Sequence, residues 1–146
     1  MELAVKLGAL LDQHDDKRVV VIGTTCTGKT TLLSKIPNAV DMDDELFPQL
    51  SAAETNYVCQ TPWTEEIGKT MNRLAKERVK VVPGSPVFGT IVLECDLIVF
   101  LLISDKLLKE RCASRRVSFK DAKNMQEQIR REIEASGLAS IEFAVG

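Results

Sequence analysis

The stretch VVVIGTTCTGKTTLL, residues 19–33, constrains what this chain can fold into more than any other part of the sequence. A run of β-branched residues, typical of a strand that is buried on both faces, leads directly into a polar turn between Gly23 and Gly28. Lys29 and Thr30 follow this turn and begin a segment with the features of a helix. The spacing Gly-x-x-x-x-Gly-Lys-Thr between a strand and a helix indicates a loop that binds phosphate groups.

The residue types in this loop each have a physical reason for their positions. Glycines allow the backbone to curl so that successive N–H groups point at one cluster of oxygens, and the following helix adds the positive end of its dipole. Lys29 brings a cation to the β- and γ-phosphates of a nucleoside triphosphate, and the Thr30 hydroxyl can bind Mg²⁺. Cys26 is interpreted as a small residue that fills the loop. The residues expected to contact the nucleotide here are Gly23, Thr24, Thr25, Cys26, Thr27, Gly28, Lys29, Thr30 and Thr31.

Composition and charge limit the other classes of function. The 146 residues are 45% apolar and 27% charged, which predicts one globular domain over residues 1–146. The net charge of −2 lacks the basic excess typical of nucleic-acid-binding proteins, and no apolar run has membrane-spanning length. Four scattered cysteines favour reduced thiols over a zinc site or a disulfide scaffold, and Glu2 and Lys6 interrupt what would be a signal peptide. We therefore expect a cytoplasmic protein with no nucleic-acid or membrane partner.

Strand and helix patterns alternate along the chain, which predicts an α/β fold of three layers with a parallel sheet between helices. The predicted strands cover residues 18–22, 39–42, 79–82, 97–103 and 141–145. The predicted helices cover residues 1–13, 29–36, 63–78, 105–115 and 121–136. The pattern of residues 87–93 favours a helix over a strand, and that of residues 51–62 favours neither.

Three segments resemble the P-loop kinases of small molecules and nucleoside monophosphates, the group of adenylate kinase and shikimate kinase. They are GTTCTGKTT, VDMDDELF and CDLIVFLLISDKLLKERCASRR, and the resemblance covers nearly all of the chain after residue 18. It implies a P-loop fold with five parallel strands in the order 2-3-1-4-5, to which this chain adds an N-terminal helix. It also implies that ATP and Mg²⁺ bind, and that the γ-phosphoryl group passes to a small-molecule acceptor.

The acidic segment VDMDDELF follows the second predicted strand. Parallel strands end at one edge of their sheet, so Asp41 and Asp43 are expected near the triphosphate, on one side if the strand continues to Asp43. Asp41 is the candidate metal ligand, and Asp43 is the candidate base that accepts a proton from an attacking hydroxyl. The alternative is a helix start, where Asp43, Asp44 and Glu45 simply interact with the helix dipole.

Two arginines of the segment LLKERCASRR are four residues apart and fall on one helical face. The resemblance implies that Arg111 stacks on the adenine and that Arg115 reaches the phosphates, where its planar head can stabilise charge on the γ-oxygens. The alternative is a solvated helix face beside Lys109 and Glu110. The candidate catalytic residues are therefore Lys29, Asp43 and Arg115.

Two departures from the family pattern leave other functions open. The third predicted strand ends in VVPGSP without an acidic residue, and the expected acceptor region has no evident arginine clamp. A kinase is favoured, a nucleoside triphosphatase comes second, and a nucleotide sensor without catalysis comes third. In the second case Asp105, which follows LIVFLLIS, would hold the metal, although Asp105 also fits the first turn of the next helix.

Overall fold

A fully buried strand, β1 (Val19–Ile22), forms the centre of the sheet in the computed structural model, which describes residues 2–146. It pairs in parallel with β3 (Val87–Gly89) on one side and with β4 (Leu97–Leu102) on the other. Both backbone edges of β1 are therefore bonded, and its four side chains (VVVI) are all buried. A strand in this position needs β-branched apolar residues on both faces, and VVVI supplies them.

Five strands form one parallel sheet in the order β2-β3-β1-β4-β5, where β2 is Val40–Asp41 and β5 is Ser140–Ala144. Every pairing in this sheet is parallel. The predicted α/β class, strand order and strand direction are confirmed. Because parallel strands end at the same edge, the segments that follow β1, β2 and β3 meet on one side of the molecule.

Seven α-helices and one short 3₁₀ helix (Phe47–Gln49) accompany these strands in residues 2–146. The α-helices are α1 (Leu3–Asp12), α2 (Lys29–Lys35), α3 (Met42–Leu46), α4 (Ala52–Val58), α5 (Glu65–Arg78), α6 (Asp105–Arg115) and α7 (Phe119–Ser136). The predicted N-terminal helix is present as α1, although Met1, its first predicted residue, lies outside the described residues. None of the helices described for residues 2–146 combines the length and the apolar character needed to cross a bilayer.

Alternate side chains of the central strands enter two separate apolar clusters, as the period of two along a strand requires. Val20 and Ile22 of β1 pack with residues of α3, α4, α5 and α7. Val19 and Val21 point to the opposite face and pack with α1 and α2. Helices thus cover both faces of the sheet, and the predicted three layers are confirmed.

The third strand was predicted at residues 79–82, and this prediction is wrong. Val79 instead caps the C-terminal end of α5, where its N–H donates to the Ala75 carbonyl, and the chain then turns at residues 82–85. β3 forms over Val87–Gly89, within the segment for which a helix was favoured, so that preference is wrong as well. Residues 79–82 (VKVV) and 87–89 (VFG) are both short and contain valine, and it is the pairing of residues 87–89 with β1 and β2 that identifies the strand.

Candidate functional site

The glycine loop lies between β1 and α2 at the carboxyl edge of the sheet. Gly23 is buried, and its N–H donates to the carbonyl of Gly89 at the end of β3, 3.3 Å away. Cys26 and Gly28 have φ angles of 66° and 91°, in the left-handed region. A Cβ on Gly28 would also lie 3.2 Å from Nη1 of Arg111. Gly28 therefore meets a backbone and a steric requirement at the same time.

Two threonines of the loop use their hydroxyls to hold the loop itself. The Thr24 hydroxyl donates to the carbonyl of Ala122 on α7 over 2.6 Å, and the Thr27 hydroxyl donates to the carbonyl of Thr24 over 2.8 Å. Both residues are fully buried. Thr24 and Thr27 were predicted to contact the nucleotide, but the structure commits both hydroxyls to hydrogen bonds within the protein, and the Thr27 N–H donates to the Thr24 carbonyl over 3.4 Å.

Two cations hold carbonyl oxygens of the same loop. The Lys29 ammonium donates to the carbonyls of Gly23 and Thr24, 2.7 Å from each. The Arg111 guanidinium donates to the carbonyls of Cys26 (3.3 Å) and Thr27 (2.9 Å). Arg111 therefore lies against the loop itself, in addition to lining a cavity beside it.

The charge of Lys29 is costly in this position. The pKa of the Lys29 ammonium is lowered to about 8, mainly by burial and to a smaller extent by the positive charge of Arg115. The negative charges of Asp41 and Asp43 act in the opposite direction, as does Cys26. Each unit of pKa shift corresponds to about 1.4 kcal/mol between the two protonation states, so a negatively charged ligand would relieve a substantial penalty here.

A cavity of about 360 Å³, here called the carboxylate cavity, opens between the loop, the start of α3 and the end of β3. The structure brings eight predicted site residues to its lining: Thr25, Cys26, Gly28, Lys29, Thr30, Asp41, Asp43 and Arg115. The predicted base, the predicted metal ligands and both predicted catalytic cations thus surround a single space.

Asp41 and Asp43 reach this cavity by a different route from the one expected. β2 ends at Asp41 and α3 begins at Met42, so the two carboxylates do not share one side of a continuing strand. Asp41 caps the helix, with its Oδ1 accepting the N–H groups of Asp43 (2.8 Å) and Asp44 (3.4 Å). Its second oxygen, Oδ2, remains as the candidate metal ligand.

The carboxyl of Asp43 is more basic than an ordinary aspartate. Partial burial raises its pKa, and the negative charges of Asp41 and Asp44 raise it further, whereas Lys29 lowers it. A carboxylate beside other carboxylates holds a proton more strongly, which is a useful property for a group that must accept one.

Gly89 is a site residue that the sequence reasoning missed. A Cβ at this position would lie 2.8 Å from Cβ and 2.6 Å from Cε of Met42, so the absence of a side chain allows α3 to lie directly against β3. This approach brings Asp43 towards the glycine loop. Thr90, which follows Gly89, and Met125 of α7 also line the carboxylate cavity. The signal was the sequence VFGT, but the third strand had been assigned to another segment.

A second cavity of about 430 Å³, here called the outer cavity, lies on the other side of the loop. Thr31 and Arg111 line it, as predicted for residues near the nucleotide, together with Leu3 of α1 and Val145 after β5. The contribution of α1 was not expected. Thr27, Gly28 and Arg115 line this cavity as well.

Asp105, the alternative metal ligand, occupies the first turn of α6. Its Oδ1 lies 2.9 Å from the Lys123 ammonium, and neither of these two described residues lines the carboxylate or the outer cavity. Among residues 2–146, no group of three or more His, Cys, Asp or Glu side chains is arranged to hold a metal ion.

Neither a scan against protein-family models nor a search of curated proteins finds a match for this chain. What the chain does is therefore inferred from its own residues and their geometry.

Proposed function

We propose that this chain is a P-loop kinase-like protein that transfers the γ-phosphoryl group of ATP to a hydroxyl of a small molecule. The observation that carries the proposal is the carboxylate cavity, where Lys29 and Thr30 of the loop face Asp43 and Arg115. A cation, a hydroxyl and a basic carboxylate around one space at the carboxyl edge of a parallel sheet are the parts that phosphoryl transfer needs. The proposed fold is accordingly that of the P-loop nucleoside triphosphatases.

The state of Lys29 supports a triphosphate as the ligand. Its ammonium is largely buried, and burial lowers its pKa. Its hydrogen-bond partners among residues 2–146 are all neutral: the carbonyls of Gly23 and Thr24 and the hydroxyl of Thr27. The β- and γ-phosphates would give this cation ionised partners, and charge-assisted hydrogen bonds are roughly twice as strong as neutral ones. Arg111 and the outer cavity would then receive the nucleoside part of the ligand.

The oxygen donors of the carboxylate cavity fit Mg²⁺. This ion takes one or two protein oxygens together with phosphates and waters, and the Thr30 hydroxyl and Asp41 Oδ2 are of the right type. Bound there, Mg²⁺ would neutralise part of the phosphate charge during transfer.

The transfer step is assigned to two residues. The acceptor oxygen forms a bond to the γ-phosphorus while the bond from that phosphorus to the β–γ bridging oxygen breaks, and ADP leaves with the electron pair. Asp43 accepts the proton that the acceptor hydroxyl loses. Arg115 donates hydrogen bonds to the γ-oxygens as charge spreads over them.

The described cysteines are all free thiols, in keeping with a proposed cytoplasmic location.

The experiment that tests this function measures ADP release from ATP and Mg²⁺, with and without a mixture of small-molecule alcohols. A kinase releases ADP only when an acceptor is present, and the phosphorylated alcohol can be identified by mass spectrometry. Steady ADP release without any acceptor would mean that the protein is a hydrolase and not a kinase. Nucleotide binding without any ADP release would mean that the protein is a nucleotide sensor.

A further inference from the structure

A groove of about 670 Å³ lies between α5 and α7 and shares part of its lining with the carboxylate cavity. Thr90 and Met125 line both spaces, so the groove adjoins the cavity that holds Asp43. We call this space the α5–α7 groove. Nothing in the transfer step described above uses it.

Trp63 provides an aromatic surface at this groove. The residue is 55% exposed, and its indole Nε1 lies 3.5 Å from the position that a Cβ on Gly68 would take. The indole therefore lies against α5 at Gly68, at a distance where an added Cβ would make only an ordinary contact. Met125, which is 39% exposed, lines the groove from α7. An exposed indole and an exposed thioether in one groove are suited to contact with a flat apolar ring.

The charged residues of the groove disfavour an anion. Glu65 and Glu132 contribute two carboxylates, and the one lysine of the lining, Lys69, has its ammonium 4.0 Å from Glu65. Arginine does not occur among the described residues that line this groove. Carboxylate and phosphate groups are usually recognised by arginine, and like charges placed together are unfavourable.

We propose that the α5–α7 groove is the acceptor subsite and that it takes an uncharged or cationic alcohol carrying an aromatic ring. The ring lies against Trp63 and Met125, and the hydroxyl passes Thr90 towards Asp43. This inference rests on the proposed function, because it names the class of molecule that receives the phosphoryl group.

Three benzyl alcohols that differ in one substituent test this class. The para substituent is aminomethyl, hydroxymethyl or carboxylate, which gives a cationic, a neutral and an anionic probe of similar size. Trp63 is the only tryptophan in the sequence, so intrinsic fluorescence reports binding at the groove without any need for turnover. We expect the cationic and neutral probes to change the fluorescence, and the anionic probe to bind at least about tenfold more weakly.

Two variants on α7 sharpen the test. Glu132→Gln removes a carboxylate from the groove lining. The ratio of the affinity for the cationic probe to the affinity for the anionic probe should therefore fall by about threefold or more. Glu134→Gln is the matched control, because Glu134 is an exposed residue of the same helix that does not line the groove. It should leave the preference unchanged.

The groove and the proposed kinase activity can fail separately. Equal or tighter binding of the anionic probe, or no fluorescence change with any of the three, would overturn the groove proposal. Phosphorylation of an alcohol that leaves Trp63 unperturbed would do the same while the kinase assignment stands. If the probes bind in the expected order but no ADP is released, the proposed ligand class of the groove stands and the proposed kinase activity is wrong.

Discussion

At the scale of single residues, the glycine loop shows what spacing can predict and what it cannot. The glycines of this segment predicted a turn between a strand and a helix, and the structure has that turn, with Gly28 in the left-handed region. That the loop binds phosphate stays a prediction. The direction of each threonine could not be predicted. Thr24 points inward because the carbonyl of Ala122, almost one hundred residues later in the chain, is its partner.

Lys29 should make triphosphate binding depend on pH in the alkaline range. Burial lowers the pKa of Lys29 to about 8 in the free protein, compared with about 10.4 for an exposed lysine. Below about pH 8 the ammonium is already present, whereas above it a triphosphate binds only with uptake of a proton. We expect the affinity for a non-hydrolysable ATP analogue to fall by up to about tenfold per pH unit above pH 8, as measured by calorimetry.

Lys29→Arg is the control for this pH dependence, because a guanidinium stays charged throughout that range. The variant should bind with a flat profile even if its affinity is lower. A flat profile in the unmodified protein would contradict the assigned role of Lys29.

Asp43 should be required for turnover and not for nucleotide binding. Asp43→Asn keeps the size of the side chain and removes its basicity, so acceptor-dependent ADP release should fall by about 100-fold or more while ATP affinity barely changes. Because the pKa of Asp43 is raised and only its deprotonated form is a base, activity of the unmodified protein should decline on acidification at a higher pH than for an ordinary aspartate.

Asp44→Asn is the matched control, since Asp44 is the next residue of α3 but does not line the carboxylate cavity. Equal activity losses in the two variants would mean that charge at the start of α3 matters, and not a base at position 43.

At the scale of secondary structure elements, long periodic segments were predictable and short apolar ones were not. Ser104 caps α6, whose predicted bounds of 105–115 are those of the structure, because the cap and the periodic pattern agree. β3 has only three residues, and its identity depends on partners in β1 and β2 that the local sequence does not contain. Because the third strand was predicted at residues 79–82, Gly89 and Thr90 were not predicted as residues of the candidate site.

Gly89→Ala tests whether close packing of α3 on β3 positions the site. The added methyl group would overlap Cβ of Met42, which cannot move without the helix, so α3 must shift. We expect a loss of roughly 1–3 kcal/mol in the free energy of unfolding, measured by urea denaturation, and reduced acceptor-dependent turnover.

Gly8→Ala on α1 is the control for this substitution. There the nearest atom, Cδ1 of Ile36, would be 3.6 Å from the new methyl group, which is an ordinary contact. Stability should stay the same or rise by up to about 1 kcal/mol, because alanine favours helix. A Gly89→Ala variant as stable and as active as Gly8→Ala would contradict the positioning role.

At the scale of the whole molecule, the order of the strands was predictable and the surroundings of the loop were not. The resemblance of three motifs to P-loop kinases implied the strand order 2-3-1-4-5, and the structure confirms this order with parallel pairings. The outer cavity, in contrast, is formed where Leu3 near the start of the chain approaches Val145 near its end. No local pattern in either segment indicates that they meet beside the glycine loop.

The measurement that tests the central claim most directly is a calorimetric titration of a non-hydrolysable ATP analogue with Mg²⁺. We predict one-to-one binding to the unmodified protein and affinity at least about tenfold lower for Lys29→Ala, because a charge-assisted hydrogen bond contributes about 1.5–3 kcal/mol. Lys76→Ala, which changes an exposed lysine of α5 that lines neither the carboxylate nor the outer cavity, should bind like the unmodified protein. No binding to the unmodified protein, or unchanged affinity in a folded Lys29→Ala variant, would contradict the account.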